Sequence, residues 1–319
     1  MKITASRQRS AMKILVTGGT GFIGHHLVLA MLAGGHQVTV LGRRQVPTNP
    51  LPPGVRYESG GLHDPVLLRT LLADVQAVAH LASATVPGTG DKAPLTDVET
   101  NLVGTLHLLD AMVGMGCQRL LYLSSGGTVY GVPQKIPLDE GQALAPIGSY
   151  GIVKVAIESY LTLYQRNHGL SPVIIRASNP YGPFQGNLSV QGIVGTYLNR
   201  ALKAEPLEIW GDGSAVRDYI HISDLTRLCL TALESEQTEI YNGGTGVGTS
   251  VRQIAELIAE VTGLPISITY QPGRKLDVPV SSLDIAKARR DFNWVPQIGL
   301  AEGIAQTWRW TRDNGLSGG

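Results

Sequence analysis

The stretch that decides the fold is Thr17-Gly18-Gly19-Thr20-Gly21-Phe22-Ile23-Gly24. It follows the apolar run Lys13–Val16 and opens an apolar pattern with helical spacing that continues to Met31. The order strand, glycine turn, helix suits a pyrophosphate, because the backbone can approach the anion closely and the positive end of the helix dipole faces it. The spacing predicts a dinucleotide site in either of two registers: Gly19, Gly21 and Gly24, or Gly18, Gly21 and Gly24.

The remainder of the first half alternates between strand and helix patterns. Strands are predicted over Gln37–Leu41, Val55–Glu58, Gln76–Ala82 and Arg119–Leu123, and another buried strand, Pro172–Arg176, is predicted in the second half. Helices are predicted from near Asp64-Pro65, over Asp97–Met115 and over Ser149–His168. This alternation predicts an α/β fold with a Rossmann-type doubly wound parallel sheet, whose ligands collect at the carboxyl ends of the strands.

Composition narrows the class of protein. The chain has 319 residues, 43% of them apolar and 16% charged, and a net charge of +1 gives no electrostatic case for nucleic acid or an acidic membrane. No apolar run approaches the length of a membrane span. Cys117 and Cys229 are far apart and have no metal-ligand cluster around them, so we expect reduced thiols, no metal and a cytoplasmic protein.

The end of the second predicted strand bears on the choice of cofactor. An NAD-selective site would have an acidic residue there to accept hydrogen bonds from the ribose hydroxyls. The sequence instead reads Leu41-Gly42-Arg43-Arg44. Because guanidinium groups suit a 2′-phosphate, the two arginines favour NADP(H) over NAD(H).

A serine-containing loop and a helical pair are the candidates for chemistry. The fifth strand runs directly into Ser124-Ser125-Gly126-Gly127-Thr128-Val129-Tyr130-Gly131. Tyr150 and Lys154 are four residues apart and therefore share one face of the helix that begins near Ser149. A phenol with its ordinary pKa near 10 is a poor base at neutral pH, and a positive charge one turn away favours its anion.

Taken together, these motifs resemble the extended short-chain dehydrogenase/reductases of the nucleotide-sugar epimerase and dehydratase family. The pattern is most similar to that of UDP-galactose (UDP-glucose) 4-epimerases, and the resemblance covers the chain from Met12 onward. Besides the glycine turn, the serine loop, Tyr150 and Lys154, it rests on His80-Leu81-Ala82, Asn101 with Gly104-Thr105, Asn179-Pro180-Tyr181-Gly182, and Gly211-Asp212-Gly213 leading to Arg217-Asp218-Tyr219-Ile220-His221.

The resemblance implies roles for individual residues. Tyr150 would be the acid/base, and Lys154 would favour the phenolate and hold the nicotinamide ribose. The family places a Ser or Thr at the position of Gly126, which has no hydroxyl, so Ser125 or Thr128 would supply it, with a slight preference for Thr128. The cofactor would contact Gly18, Thr20, Gly21, Phe22, Ile23, Gly24, Arg43, Arg44, Leu81, Ala82, Asn101, Ser124, Tyr150 and Lys154.

The resemblance likewise implies a nucleotide-sugar site. Its residues would be Gly126, Asn179, Arg217, Arg274, Asp277 and Ser281, with the two arginines on the diphosphate and the segment Leu207–Gly213 along the base. Ser281 falls where a bulky Tyr closes the sugar pocket of epimerases that accept only unmodified hexoses. Its small side chain leaves room for a 2-acetamido group.

The function implied is a nucleotide-sugar 4-epimerase acting on a UDP-hexose or UDP-N-acetylhexosamine through a transient 4-keto sugar. An NADPH-dependent 4-keto-sugar reductase is the alternative, and a non-catalytic cofactor-sensing protein remains open because fold does not fix function. A dehydratase would need an Asp-Glu pair where Gly126-Gly127 stand.

The resemblance also predicts the organisation of the chain. We expect a homodimer formed through the Asp97–Met115 and Ser149–His168 helices. Residues 1–11 are predicted to be a flexible extension. Residues 12–178 with about 217–246 would form the dinucleotide domain, and about 179–216 with 247–319 a smaller discontinuous domain that binds the nucleotide sugar.

Overall fold

The computed structural model of the protein describes residues 11–47, 49–85, 90–185, 192–273 and 278–315. The predicted extension therefore lies outside the described residues except for Ala11. The strands are β1 Lys13–Thr17, β2 Gln37–Gly42, β3 Arg56–Ser59, β4 Ala77–His80, β5 Arg119–Ser125, β6 Ser171–Ala177, β7 Asn179–Tyr181, β8 Leu207–Trp210, β9 Val216–His221, β10 Ile240–Gly243, β11 Gly248–Ser250, β12 Ile268–Gln271 and β13 Val280–Ser281.

Helices flank these strands throughout the chain. They are α1 Phe22–Ala33, α2 Pro65–Leu72, α3 Pro94–Asp97, α4 Gly104–Met115, α5 Ser149–His168, α6 Ile193–Leu202, α7 Ile222–Glu234, α8 Val251–Thr262, α9 Ala286–Phe292 and α10 Leu300–Asn314. The helix predicted over Asp97–Met115 begins earlier, and α3 joins α4 through a π-helical stretch, Val98–Val103. Among the described residues, no helix is long and apolar enough to cross a membrane.

The predicted parallel sheet is confirmed. It has seven strands in the order β10-β6-β5-β4-β1-β2-β3, and each neighbouring pair is parallel. The direction of strand succession reverses between β1 and β4. Such a switch point opens a crevice at the carboxyl ends of the strands, where open α/β sheets bind ligands. The turn after β1 and the segment after β4 therefore lie side by side.

Helices cover both faces of the central sheet, as a doubly wound fold requires. On one face, α1 and α7 pack through buried residues such as Leu27, Met31 and Leu228. On the other face, α2, α4 and α5 pack through residues such as Leu108 and Ile157. The strands are buried on both sides because each side has its own hydrophobic core.

A second, smaller core lies in the C-terminal half. Strand β9 pairs with β7, β11 and β13, while β8 pairs with β12. Helices α6, α8 and α10 pack there around Leu198, Ile209, Ile254 and Ile304. The chain then alternates between the two halves, since α7 and β10 return to the central sheet. The domain boundaries predicted from the sequence stay a prediction.

Candidate active site

The glycine turn after β1 leaves no room for side chains at Gly18 and Gly24. Gly18 has φ of +76°, and a side-chain carbon there would lie 2.7 Å from the backbone nitrogen of Ala82. A side-chain carbon at Gly24 would lie 2.1 Å from the carbonyl oxygen of Gly18. Helix α1 begins after Gly21 with no side-chain cap and no acidic residue in its first turn. Its first N–H groups therefore remain available to an anion.

Next to this turn, the side chain of His80 in β4 makes hydrogen bonds to Thr17 of β1 and to Thr105 of α4. Thr105 donates its hydroxyl hydrogen to the carbonyl oxygen of Asn101 at 2.5 Å, so the His80 Nε2–H must donate to Thr105 Oγ1 at 2.9 Å. His80 Nδ1 then accepts from Thr17 Oγ1 at 2.6 Å. Burial, assisted by the nearby Lys154 ammonium, lowers the pKa of His80 to about 3. The neutral imidazole thus ties the turn to the helix that carries Asn101.

The crevice is a cavity of about 990 Å³ that brings most of the predicted site residues together. The predicted residues in its wall are Gly18, Thr20, Gly21, Phe22, Ile23, Gly24, Arg43, Arg44, Leu81, Ala82, Asn101, Ser124, Ser125, Thr128, Tyr150, Lys154, Asn179 and Arg217. Gly126 and Ser281 are buried and are not in this wall. Arg274 and Asp277 lie outside the described residues.

Tyr150 and Lys154 lie on the α5 face that borders the cavity. The Lys154 ammonium donates to the carbonyl oxygen of Leu123 at 2.8 Å and lies 5.6 Å from the centre of the Tyr150 ring. Burial lowers the pKa of Lys154 to about 8, while the carboxylates of Glu158 and Asp97 raise it. Burial first, and then the Asp97 charge, raises the pKa of Tyr150. Within the described residues, the Tyr150 hydroxyl makes no hydrogen bond, so it is free to meet a substrate.

The serine loop after β5 places its hydroxyl groups very differently. Ser124 Oγ donates to the buried carboxylate of Glu158 at 2.5 Å. Thr128 Oγ1 is buried without a hydrogen-bond partner. Ser125 is partly exposed in the cavity wall, and its hydroxyl makes no hydrogen bond to another described residue. A side-chain carbon at Gly126 would lie 2.6 Å from Leu283 Cδ1, so the hydroxyl-bearing residue usual in the family would require the Leu283 side chain to shift.

The far end of the cavity belongs to the smaller half of the protein. Asn179 of β7 donates to the carbonyl oxygen of Asp218 at 3.0 Å, and Arg217 of β9 donates to its neighbour's carbonyl oxygen. None of the ion pairs among the described residues includes Arg217. Tyr197 and Arg200 of α6 also line this end of the cavity. The sequence analysis did not identify them, because a single Tyr or Arg in a helix belongs to no recognisable motif.

Asp218 stabilises this end of the cavity, a role that the sequence analysis did not assign to it. Its buried carboxylate accepts hydrogen bonds from the backbone N–H groups of Thr245, Gly246 and Leu283. Burial raises the pKa of this carboxyl, although these donors lower it. Asp218 therefore fixes two loops behind Arg217, and the only clue in the sequence was its place within the Arg217–His221 motif.

The other end of the cavity, beside β2 and β3, carries positive charge. Arg43 and Arg44 are exposed there, and the Tyr57 hydroxyl fixes their loop by donating to the Arg44 carbonyl oxygen at 2.5 Å. The acidic residues in the described part of the cavity wall are Asp91 and Glu208, and neither lies at this end. With the close approach of Gly18 and Gly24 and the uncapped α1, these residues fit a nicotinamide dinucleotide.

No group of three or more His, Cys, Asp or Glu side chains in the described ranges could hold a metal ion. Both cysteines are buried and unpaired.

Comparison with known proteins identifies the family. Residues 14–244 match the model of the NAD dependent epimerase/dehydratase family. The UDP-glucose 4-epimerase of Mycolicibacterium smegmatis is 34% identical over 311 residues, an alignment that covers 95% of this chain and 99% of that relative. A putative UDP-glucose 4-epimerase of Methanocaldococcus jannaschii is 33% identical over 303 residues, covering 94% of this chain and 99% of the relative.

Solved structures are similar over nearly the whole chain. The Thermotoga maritima UDP-glucose 4-epimerase with UDP-glucose has a TM-score of 0.91 at 34% identity, covering 95% of this chain and 99% of that one. The Thermus thermophilus enzyme in complex with NAD has a TM-score of 0.88 at 34% identity, covering 94% and 99%.

A UDP-N-acetylglucosamine 4-epimerase from Methanobrevibacter ruminantium, in complex with UDP-N-acetylmuramic acid, has a TM-score of 0.89 at 26% identity, covering 96% of this chain and 99% of that one. The family match extends over the glycine turn, the serine loop, Tyr150 and Lys154. The chain belongs to the NAD-dependent epimerase/dehydratase family of extended short-chain dehydrogenase/reductases and is an epimerase of that family.

Proposed function

We propose that the protein is a nucleotide-sugar 4-epimerase that acts on a UDP-hexose or a UDP-N-acetylhexosamine. The observation that supports this proposal is that one continuous cavity is lined by the glycine turn, by Tyr150 and by Asn179 and Arg217. The Tyr150 hydroxyl makes no hydrogen bond within the described residues. One end thus suits a dinucleotide and the other a sugar diphosphate. The named substrates of the similar proteins, UDP-glucose and UDP-N-acetylglucosamine, support the same class of substrate.

Tyr150 would move the proton of the reacting sugar hydroxyl. In the free protein its raised pKa keeps the phenol protonated at neutral pH, so ionisation needs positive charge nearby. Lys154 supplies such a charge, since its pKa of about 8 leaves the ammonium mostly protonated at pH 7. When bound, the nicotinamide dinucleotide supplies a reversible hydride acceptor. Lys154, Asn101 and the α1 N-terminus would hold it.

Ser125 is the better candidate for the hydroxyl missing at Gly126. Its side chain borders the cavity and makes no hydrogen bond within the described residues, whereas Thr128 Oγ1 is buried. A hydroxyl that is free in the wall can donate to a sugar oxygen without first breaking another hydrogen bond. This reverses the slight preference for Thr128 drawn from the sequence.

We further propose that the enzyme prefers NADP(H). Arg43 and Arg44 are exposed at the end of β2, and no ion pair among the described residues occupies either one. A 2′-phosphate would offer each guanidinium a charge-assisted hydrogen bond worth about 1.5–3 kcal/mol. The Arg43→Ala/Arg44→Ala variant should bind NADP+ about tenfold or more weakly and NAD+ about equally. Equal titration curves of both proteins with NADP+ would contradict this assignment.

The same two arginines favour the second candidate, an NADPH-dependent nucleotide 4-keto-sugar reductase. A reductant that is consumed in each turnover is commonly NADPH, whereas an epimerase regenerates its cofactor. In the reductase, Tyr150 would donate its proton to the sugar oxygen. Gly126-Gly127 in the serine loop provide no acidic pair for a dehydratase.

Tolerance of 2-acetamido sugars is part of the proposal and rests on the sequence resemblance at Ser281 and on the UDP-N-acetylglucosamine 4-epimerase among the similar structures. Ser281 is buried on β13 opposite Arg217 of β9, so it lies next to a wall residue rather than in the wall itself. Turnover of both UDP-glucose and UDP-N-acetylglucosamine is expected. An enzyme that converts only the unsubstituted hexose would contradict this part of the proposal.

We also propose a homodimer built on α5 and the α3–α4 segment. Exposed apolar side chains lie on these elements: Leu95 at 79%, Ile152 at 55% and Leu163 at 45%. Large apolar side chains that are exposed on adjoining helices are typical of a surface that another protein molecule covers. Light scattering should give twice the chain mass, and Ile152→Asp should give a monomer. A cytoplasmic location stays a prediction.

Two measurements test the proposed function. Denaturation of the purified protein followed by mass spectrometry should release a near-stoichiometric nicotinamide dinucleotide, because an epimerase keeps its cofactor between turnovers. Incubation with UDP-glucose should then yield its 4-epimer without net change at 340 nm. An empty protein that oxidises NADPH only with a 4-keto sugar would instead establish the reductase. No turnover with any nucleotide sugar would favour a cofactor-sensing protein.

A further inference from the structure

Asp97 is a buried carboxylate to which neither the proposed cofactor site nor the proposed sugar site assigns a role. It ends α3, is 0% exposed, and accepts hydrogen bonds from Thr85 Oγ1 at 2.7 Å, Asn101 Nδ2 at 2.7 Å and Ser149 Oγ at 2.8 Å. The ion pairs of the described ranges do not include it. Three neutral donors therefore solvate the charge, and no adjacent cation cancels it.

These hydrogen bonds connect Asp97 to the first turn of α5. Ser149 is the first residue of that helix and the neighbour of Tyr150. Its backbone N–H donates to the Asp91 carboxylate at 2.7 Å, so two carboxylates meet the positive end of the α5 dipole. Gly90 packs between Asp97 and Tyr150, because a side-chain carbon there would lie 2.7 Å from Asp97 Oδ2 and 3.1 Å from the Tyr150 backbone nitrogen. The place of Tyr150 thus depends on the segment 90–97.

The charge of Asp97 acts on both members of the Tyr150–Lys154 pair. Other titratable or charged groups that face the pair come from β4, β5, α5 and the segment before α3: His80, Tyr122, Glu158 and Asp91. Among the carboxylates, Asp97 is the one whose charge raises the pKa of both Tyr150 and Lys154. It therefore stabilises the ammonium and opposes the phenolate until further positive charge is bound.

We propose that Asp97 is a positioning residue of the active site, fixing the first turn of α5 through Ser149 and keeping the resting pair as a phenol and an ammonium. The catalytic meaning of this proposal rests on the proposed function, but its electrostatic part does not. A site arranged in this way withholds a strong base in the free enzyme and forms it when the oxidised, positively charged cofactor arrives.

Asp97→Asn tests the charge with little change of shape, and Ser149→Ala is the matched control that removes one hydrogen bond and keeps the carboxylate. The ammonium of Lys154 can be titrated by NMR in protein labelled with ¹³Cε-lysine, with the signal assigned from Lys154→Met. Asp97→Asn should lower the midpoint by about 0.5–1 pH unit, and Ser149→Ala by less than half of that. Equal midpoints in wild type and Asp97→Asn would overturn the electrostatic role. This titration needs no turnover, so it stands even if the protein proves not to be an epimerase.

Kinetics test the positioning role. Ser149→Ala should lower kcat about tenfold with little change of KM, and Ser149→Thr, which keeps the hydroxyl, should restore most of it. In Asp97→Asn, the acidic limb of the kcat/KM profile should move to lower pH, because Tyr150 then ionises more readily. If Asp97 had only a structural role, Asp97→Asn would lower kcat/KM by the same factor at every pH and would leave the pH of the acidic limb unchanged. Should Asp97→Asn fail to fold, an unchanged kcat in Ser149→Ala would still overturn the proposal.

Discussion

Replacing Glu158 by Gln is expected to lower the melting temperature of the protein by about 4–6 °C. Glu158 Oε2 accepts from Arg176 Nη2 at 2.7 Å, and the two side chains are only 4% and 2% exposed. Its other oxygen accepts from the Ser124 hydroxyl. The amide of Gln can satisfy one of these two partners in the same geometry, but it leaves the buried guanidinium without its counter-charge.

The magnitude follows from the burial of the pair. Breaking a buried ion pair by removing one partner costs about 3–5 kcal/mol, because an uncompensated charge remains. Arg176 keeps its hydrogen bonds to the Tyr130 hydroxyl and the Glu140 carbonyl oxygen, which favours the lower part of this range. With an unfolding entropy of about 2.1 cal/mol/K per residue, a chain of 319 residues loses about 1.5 °C for each kcal/mol.

Differential scanning calorimetry of matched variants measures this effect. Glu158→Gln/Arg176→Met removes both charges and should recover most of the lost stability. Glu58→Gln is the surface control, since Glu58 pairs with Arg56 at 2.7 Å in an exposed position, where such pairs contribute about 0–1 kcal/mol. A Glu158→Gln protein that melts within 1 °C of wild type, or a double variant less stable than the single one, would refute the reasoning.

Three further outcomes follow from the site and its surroundings. In steady-state kinetics, Ser125→Ala should lower kcat by about tenfold or more, whereas Thr128→Val should leave it within about threefold, and the reverse ranking would return the role to Thr128. In urea unfolding, Thr128→Val should stabilise the fold by up to about 1 kcal/mol, because it removes a buried hydroxyl that has no hydrogen-bond partner. Gly24→Ala should weaken dinucleotide binding at least about a hundredfold in a fluorescence titration, because the alanine methyl group would collide with the Gly18 carbonyl oxygen. An affinity close to that of wild type would contradict this prediction and show that the turn can move. Burial lowers the pKa of His26 to about 4 and that of His80 to about 3, so the unfolded chain binds more protons than the folded protein as the pH falls below 6.5. Each imidazole should therefore reduce the free energy of unfolding by about 1.5 kcal/mol between pH 6.5 and 5, and a His80→Gln protein with the same loss as wild type would exclude His80 as a cause.

The sequence by itself determined the architecture and the two local elements of the site. The strand, glycine turn and helix around Gly18 and Gly24 could be predicted because each depends on residues a few positions apart. The Tyr150–Lys154 pair could be predicted for the same reason, since one helical turn fixes its geometry. Apolar strand patterns separated by helical ones predicted the parallel sheet, because burial on both faces leaves a clear mark on composition.

Only the tertiary structure decided which partners surround these elements. Ser149 meets Asp97 across 52 positions of sequence, and Leu283 meets Asp218 across 65. The close contact at Gly126 likewise comes from Leu283, which is far away in the sequence and which no local pattern predicts. Hydrogen bonds and close contacts act over a few ångströms in space, whereas periodicity and spacing report only neighbours along the chain. The charge environment of Tyr150 and the choice between Ser125 and Thr128 therefore required the folded arrangement.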